Sequence, residues 1–296
     1  MKNKHFKTSF NWKYEGPSFT KDLSTKQKII LLILWLVAGA IGYYVFHPVI
    51  SYKTVTGFAY VIYVIVLVGI VSLFFQKSSI SYGKSSFKMT ALKIILGLSV
   101  IWVLGSLAVC NPVFMASYFA DRIQIENVDF DKVKEVDFTK TPIIDRDSTI
   151  VLGDRVMGEM PELVSQFEVS EEYTQISYKD SVYRVTPLEY AGFFKYLGNQ
   201  EEGIPAYILV NSVTGEAELV KLEDLGLDGM KYVPSGYFNH DLYRKLQMQY
   251  PTTIFGEPSF EIDEEGHPWY ICTTYDYAAF ETRKTVSGVV LFDPIT

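Results

Sequence analysis

The chain has 296 residues, 48% of them hydrophobic, and a formal net charge of −7 at pH 7. A chain of this size can bury a core without disulfides, and its acidic balance does not favour binding to nucleic acid. The charge is divided unequally: residues 1–120 contain 12 lysines and two acidic residues, a net charge of +10, whereas residues 121–296 have a net charge of −17. A basic half beside an anionic membrane surface and an acidic half away from it would explain this division.

Three apolar runs follow a basic segment at residues 1–28. They cover residues 29–50, 55–75 and 94–116, contain no acidic residue, and each exceeds the roughly 18 residues that indicate a membrane-spanning helix. The first run is too long for the apolar part of a signal peptide and lacks a small-residue cleavage motif. The sequence therefore predicts three transmembrane helices in contact with the lipid bilayer.

The lysines predict the orientation of these helices. Seven lie in residues 1–28, and Lys77, Lys84 and Lys88 lie in the connection at residues 76–90. Positive charge in short loops marks the cytoplasmic side, so we expect a multi-pass cell-membrane protein with a cytoplasmic amino terminus and an extracytoplasmic carboxyl-terminal domain. The opposite orientation would place all ten lysines outside. The runs contain no Asp, Glu or Arg, which argues against a self-contained transporter.

Residues 117–145 are predicted to connect the last span to the outer domain. The apolar residues Ile123, Ile125, Val128 and Phe130 alternate with polar ones, which predicts one short strand.

Residues 146–225 have the pattern of a helix followed by an antiparallel sheet. The polar run Asp147, Ser148 and Thr149 predicts a helix amino terminus, and Pro161 predicts its end. Alternating or apolar runs then predict strands, interrupted by one short helix. The predicted elements are a helix at 150–160, strands at 165–169, 174–178 and 182–185, a helix at 190–197, and strands at 206–211 and 217–222.

Residues 226–296 repeat this order. Asn239, His240 and Asp241 predict a helix cap, and Phe238, Leu242, Leu246 and Tyr250 recur at the spacing of one helix face. A hairpin at 259–272 and a last apolar strand follow. Residues 206–214 resemble residues 288–296 over nine positions, which predicts a duplicated unit, although shared turn chemistry is an alternative explanation. The predicted fold class is α+β: three transmembrane helices followed by two helix-plus-antiparallel-sheet units.

The second unit ends where the first continues into a closing strand. We therefore expect it to be incomplete, with the strand formed by Val289, Val290, Leu291 and Phe292 exposed along one edge. An unpaired edge is a site for strand addition by another chain, so these four residues are the candidate partner-binding site. Either the natural chain continues beyond residue 296, which is the favoured explanation, or a partner supplies the missing strand.

The motif at Tyr207 to Glu216 and its counterpart at Val289 to Thr296 resemble PepSY-type domains, which often close with an apolar strand, an Asp or Asn, and a Thr-Gly turn. The resemblance covers about 140 of the outer residues. It implies a domain outside the bacterial cell membrane that binds or restrains other proteins. It implies no catalytic residues.

The sequence supplies little catalytic chemistry. None of its four histidines pairs with another histidine or a cysteine at metal-ligand spacing, and no common catalytic or phosphate-binding motif occurs. We therefore predict no catalytic residue, no cofactor and no metal site. Asp263, Glu264 and Glu265 lack the spacing of a calcium loop and are typical of a solvated hairpin turn. Cys110 and Cys272 are expected to be buried thiols without a disulfide.

These patterns favour a non-enzymatic membrane protein whose acidic outer domain binds or regulates a partner at the cell surface. Two alternatives remain open. One is an accessory subunit of a larger transport or envelope complex, with the transmembrane helices as its interface. The other is an envelope hydrolase that uses an acidic pair, Glu264 and Glu265.

Overall fold

A computed structural model describes residues 24–74, 87–109, 111, 113, 116–120, 125–132, 135, 137–279 and 281–296. Among these residues, four helices precede the carboxyl-terminal domain (residues 137–296), which we call the outer domain after its predicted location: α1 (Thr25–Phe46), α2 (Val55–Phe74), α3 (Phe87–Val109) and α4 (Ala116–Ala120). The helix α1 begins four residues before the apolar run, because Ser24 and Gln27 form a capping box in which each side chain accepts a hydrogen bond from the other residue's backbone amide.

Apolar side chains are exposed along α1, and none of the described residues of this helix is fully buried. Ile29, Ile33, Leu34, Leu36 and Val37 are all about half exposed or more. Among the described residues, α1 is the one helix long and apolar enough to cross a membrane, and shorter apolar helical stretches lie at Val55–Ile65 and Leu96–Gly105. The second and third spans therefore remain predictions.

The connector does not form the predicted strand. Of the four residues on which that prediction depended, Ile123 lies outside the described part, and the other three lie in unpaired backbone or in the first of two short 3₁₀ turns, Phe130–Lys132 and Phe138–Lys140. Ile125 and Phe130 are almost fully exposed, at 86% and 89%. Alternation alone was misleading here, because no neighbouring strand is present among the described residues to accept the pairing.

The first unit is a helical layer packed on a five-stranded antiparallel sheet, in which β1 and β2 both pair with β3 at successive positions, followed by β4 and β5. Its elements are α5 (Arg146–Gly158), α6 (Pro161–Val164), β1 (Phe167–Val169), β2 (Thr174–Tyr178), β3 (Ser181–Tyr190), α7 (Phe193–Asn199), β4 (Ala206–Asn211) and β5 (Ala217–Lys221).

The predicted cap of α5 is wrong. Asp145, rather than the run at residues 147–149, caps the helix, because its Oδ1 accepts a hydrogen bond from the backbone amide of Ser148 at 2.7 Å. Thr149 is instead buried inside the helix, where its Oγ1 donates to the carbonyl of Asp145 and accepts from Arg184.

The second unit follows the same order. A helix is followed by two short strands that both pair with one long strand, and a last strand pairs with the other side of that long strand. Its elements are α8 (Leu242–Gln249), β6 (Ile254–Phe255), β7 (Ser259–Ile262), β8 (Pro268–Ala279) and β9 (Thr282–Phe292). This common order is what a duplication would produce, and the duplication itself stays a prediction.

The second unit differs from the predicted elements, or from the first unit, in three places. Phe238 and Tyr250 lie outside α8, since Asp241 caps the helix through the amide of Arg244, and α8 ends at Gln249. The last strand starts at Thr282, earlier than predicted. A short connection replaces α7 between the third and fourth strands of the second unit.

The strand β4 lies at the centre of the outer domain, and all six of its residues are buried. On one face, Ile208 lies beneath α5, where Gly153 permits close approach. On the other face, the Tyr207 ring lies 5.9 Å from the Phe260 ring, and its hydroxyl donates to the Gly266 carbonyl at 3.0 Å. The apolar sequence of β4 follows from this position between a helix and the second sheet, because both of its faces need apolar side chains.

Candidate functional site

The candidate edge strand forms the carboxyl-terminal part of β9. Within the described residues, β9 pairs with β8 alone. Val289 and Leu291 are 54% and 63% exposed, whereas Val290 packs against the core and Phe292 is buried beside the Tyr232 ring at 5.8 Å. The predicted four-residue site therefore presents two side chains to the outside, and the other two anchor the strand to the core.

The opposite end of β9 contacts the amino terminus of α2. Glu281, in the turn between β8 and β9, accepts a hydrogen bond from the backbone amide of Val55 at 2.9 Å through its Oε1. Its own backbone amide donates to the carbonyl of Lys53 at 2.9 Å. A carboxylate at a helix amino terminus satisfies an unpaired amide and lies at the positive end of the helix dipole. The hairpin therefore caps α2.

An ion pair reinforces this contact. Lys53 Nζ lies 2.6 Å from the Oδ1 of Asp276 on β8. The hydrogen bond from Lys53 holds the pKa of Asp276 below its ordinary value. Because the pair is partly exposed, it orients the connection more than it stabilises the fold.

The carboxyl end of α1 contacts the region of α8. Arg244 donates from Nε to the carbonyl of Tyr44 at 2.9 Å, and its guanidinium lies 4.7 Å from the centroid of the Tyr44 ring. The Tyr44 hydroxyl donates to Asn239 at 3.0 Å. Farther along, the backbone amide of Ile50 donates to the carbonyl of Pro251 at 2.7 Å. The connection between α1 and α2 is thus attached to the outer domain at both ends.

A groove of about 1430 Å³ lies between this connection and the outer domain. Gly39, Gly42 and Tyr60 line it from the helices. Tyr243, Tyr275, Tyr277, Glu257, Glu281 and Lys284 line it from the outer domain. Its volume exceeds the roughly 300–1,000 Å³ typical of small-molecule pockets, so the groove could accommodate a large amphiphilic ligand.

Asp263, the first residue of the acidic turn, has a structural role. Asp263 accepts hydrogen bonds from the backbone amides of Glu265 and His267 and from the indole of Trp269, at 2.9–3.1 Å. Glu264 and Glu265 are exposed at the tip between β7 and β8. The hydrolase hypothesis depends on these two glutamates and stays untested: it predicts that replacing both with alanine abolishes turnover without unfolding the domain.

His240, His267 and the described cysteine, Cys272, occupy structural positions. His240 lies 3.2 Å from the Tyr196 hydroxyl, and His267 faces Asp293 at 3.4 Å. Cys272 is fully buried, and burial raises the pKa of its thiol to about 12, so it is a poor nucleophile at neutral pH. Cys110 lies outside the described residues. Within the described part of the chain, no group of three His, Cys, Asp or Glu residues could hold a metal ion.

Sequence reasoning missed the contact between the α1–α2 connection and the outer domain. One local signal was available: Thr54 precedes Gly57 by three residues, and its Oγ1 accepts from the Gly57 amide at 3.1 Å, as a helix-capping threonine does. No sequence pattern indicated Glu281 or Arg244, because their partners lie about 200 residues away along the chain.

No family model, curated protein or solved structure matches the chain.

Proposed function

We propose that this chain is a non-enzymatic membrane protein with three transmembrane helices, whose PepSY-like outer domain binds a protein partner along the edge of β9. The observation that carries the proposal is the one-sided pairing of β9 among the described residues, together with the exposed side chains of Val286, Val289 and Leu291. Backbone pairing with an added strand would supply affinity, and these side chains would supply selectivity.

The contacts of the α1–α2 connection support the membrane part of the proposal. Ile50 and Lys53 both contact the outer domain, so the connection and that domain lie on the same side of any membrane that α1 crosses. If α2 crosses the membrane in the opposite direction, α3 must cross it once more to return the chain to the side on which the α1–α2 connection lies. The helix α1 is long and apolar, and none of its described residues is fully buried, so lipid is its natural surroundings.

The same hairpin connects the proposed partner site to the membrane helices. One end of β9 presents an edge with no second strand among the described residues, and the turn before its other end caps α2 through Glu281. A partner that pairs with β9 would therefore act on an element that directly contacts a transmembrane helix. This continuity favours a regulatory role over simple adhesion.

A photo-crosslinking experiment tests the partner site. A photoreactive amino acid is introduced into the full chain at Val289, or at Val151 on α5 as a control with similar exposure. Irradiation of native membranes is expected to give a discrete adduct from position 289 and none from position 151. The same adducts from both positions would contradict the proposal.

A second variant separates the outer-domain site from the transmembrane alternative. Val289→Asp places a charge on the exposed face of the edge strand and should abolish copurification of the crosslinked partner. Protection of Cys272 from thiol reagents verifies that the variant is folded. A partner that is retained by Val289→Asp would instead support the accessory-subunit hypothesis, in which the exposed apolar helices form the interface.

A further inference from the structure

The groove between the helices and the outer domain has an apolar end and a charged end. At the helical end, a Cβ atom added to Gly39 or Gly42 would meet nothing within 4 Å. Because glycine has no side chain, these two positions leave open space along α1. Neighbouring Ile41 and Phe46 are 58% and 76% exposed, so this end continues into the surface that would face lipid acyl chains. An apolar chain could enter the groove sideways from the bilayer.

The outer end of the groove carries charges of both signs among aromatic rings. Lys284 Nζ lies 3.7 Å from the centroid of the Tyr275 ring, and Glu257 is exposed in the same lining. Tyr243 and Tyr277 add further ring surface. A phosphate group is complementary to the lysine, and an amine is complementary to a glutamate and to aromatic faces. A purely anionic headgroup would meet unfavourable charge at Glu257 and Glu281.

We propose that this groove binds one phospholipid with a zwitterionic headgroup, a phosphate and an amine, as in phosphatidylethanolamine. The acyl chain lies along α1 at Gly39 and Gly42, the phosphate faces Lys284, and the amine faces Glu257. The inference rests on the proposed insertion of α1 and α2 in the membrane, and it does not depend on the partner site at β9. The bound lipid would fill the space between the helices and the hairpin that caps α2.

Lipid binding to the full chain in mild detergent tests the acyl-chain site. Phosphatidylethanolamine is added, and bound lipid is counted by native mass spectrometry. The wild-type chain should retain one molecule. Gly42→Leu fills the open space and should weaken retention about tenfold or more, a loss of roughly 1.4 kcal/mol or more. Gly97→Leu is the matched control, because a Cβ atom there also meets nothing within 4 Å and Gly97 does not line the groove.

The headgroup is tested with phosphatidylglycerol of the same acyl composition. The wild-type chain should prefer phosphatidylethanolamine, and Glu257→Lys should reverse the preference. Equal retention by Gly42→Leu and Gly97→Leu, or no headgroup preference in the wild-type chain, would overturn the proposal. So would a dimer that only Gly42→Leu disrupts, because a second copy would then occupy the groove. Crosslinking from position 289 is measured in parallel, so a failure of the lipid site is distinguished from a failure of the partner site.

Discussion

At the scale of single residues, buried or half-buried polar groups have mainly structural roles. Asp263 illustrates this, because the sequence predicted a hairpin turn at this position and the side chain of Asp263 closes the turn between β7 and β8. Burial raises the pKa of Asp263, but the hydrogen bonds from Trp269 and from the amides of His267 and Glu265 lower it more, so its pKa lies below the ordinary value. The carboxylate therefore stabilises the folded state.

This pKa shift predicts a specific acid sensitivity. The stabilisation by Asp263 is fully present above the unfolded pKa of about 3.9 and is lost as the pH falls through the lower folded pKa. We expect Asp263→Asn to be less stable than the wild-type chain at pH 7 and to lose less stability between about pH 5 and pH 2. Thermal unfolding of the full chain in detergent over this pH range measures both effects. Glu264→Gln at the exposed tip is the control, and an identical pH dependence in both variants would contradict the assignment.

At the scale of elements, the α1–α2 connection packs closely against the first turn of α2. A Cβ atom on Gly57 would lie 2.2 Å from the carbonyl oxygen of Val49 and 2.4 Å from that of Ser51. Both contacts are to backbone, which cannot rotate away as a side chain can. The glycine therefore lets the connection fold back on the first turn of α2, which places Ile50 and Lys53 against the outer domain.

Gly57→Ala should accordingly detach this connection. Overpacking costs about 1–3 kcal/mol, although alanine is the better helix former. We expect a lower unfolding temperature and faster hydrogen exchange at the amides of Ile50 and Val55, both of which donate to the outer domain. Gly97→Ala on α3 is the control, and it should be neutral or stabilising because its Cβ atom meets nothing. Unchanged exchange in Gly57→Ala would show that the backbone can accommodate the methyl group.

At the scale of the whole molecule, the chain separates into a basic apolar half and an acidic mixed-structure half. The outer domain has one continuous core that includes residues of both units, from Met157 in α5 to Phe292 in β9. The two sheets pack on each other through Tyr207 and Phe260, so neither unit would bury its inner face alone. We therefore expect the two units to unfold together.

Labelling from the two sides of the membrane tests the proposed topology. A cysteine placed at Ser81 should react with a membrane-impermeant maleimide only from the cytoplasmic side, and one at Asp180 only from outside. Asp180 is exposed in the turn between β2 and β3, which makes it a suitable reporter. Cys110→Ser removes one native thiol, and Cys272 is already buried. Labelling of both positions from the same side would contradict three spans.

Local patterns located most strands of the outer domain, but the long strands β3, β8 and β9 extend beyond the predicted runs. The strands β2 and β4 have the predicted bounds, and β7 begins where the predicted hairpin begins, because turn residues flank these alternating or apolar runs. The predicted starts of helices were less accurate. Asp145 rather than Asp147 caps α5. Either carboxylate could accept the amide hydrogen bond, and only the path of the chain selects between them. The connector strand failed because pairing requires a neighbour that the sequence does not specify.

Sequence by itself determined the helical apolar segment at α1, the α+β class of the chain and the end of the last strand at Phe292. These features depend on composition and short-range periodicity, which are properties of neighbouring residues. Only the tertiary structure decided which side chains of β9 face outward, that Glu281 caps α2, and that a groove lies between the helices and the outer domain. Each of these joins residues that lie far apart along the chain or depends on how the sheet packs against the core. No local pattern encodes such contacts, because their energy arises only when the two sheets and the α1–α2 connection come together.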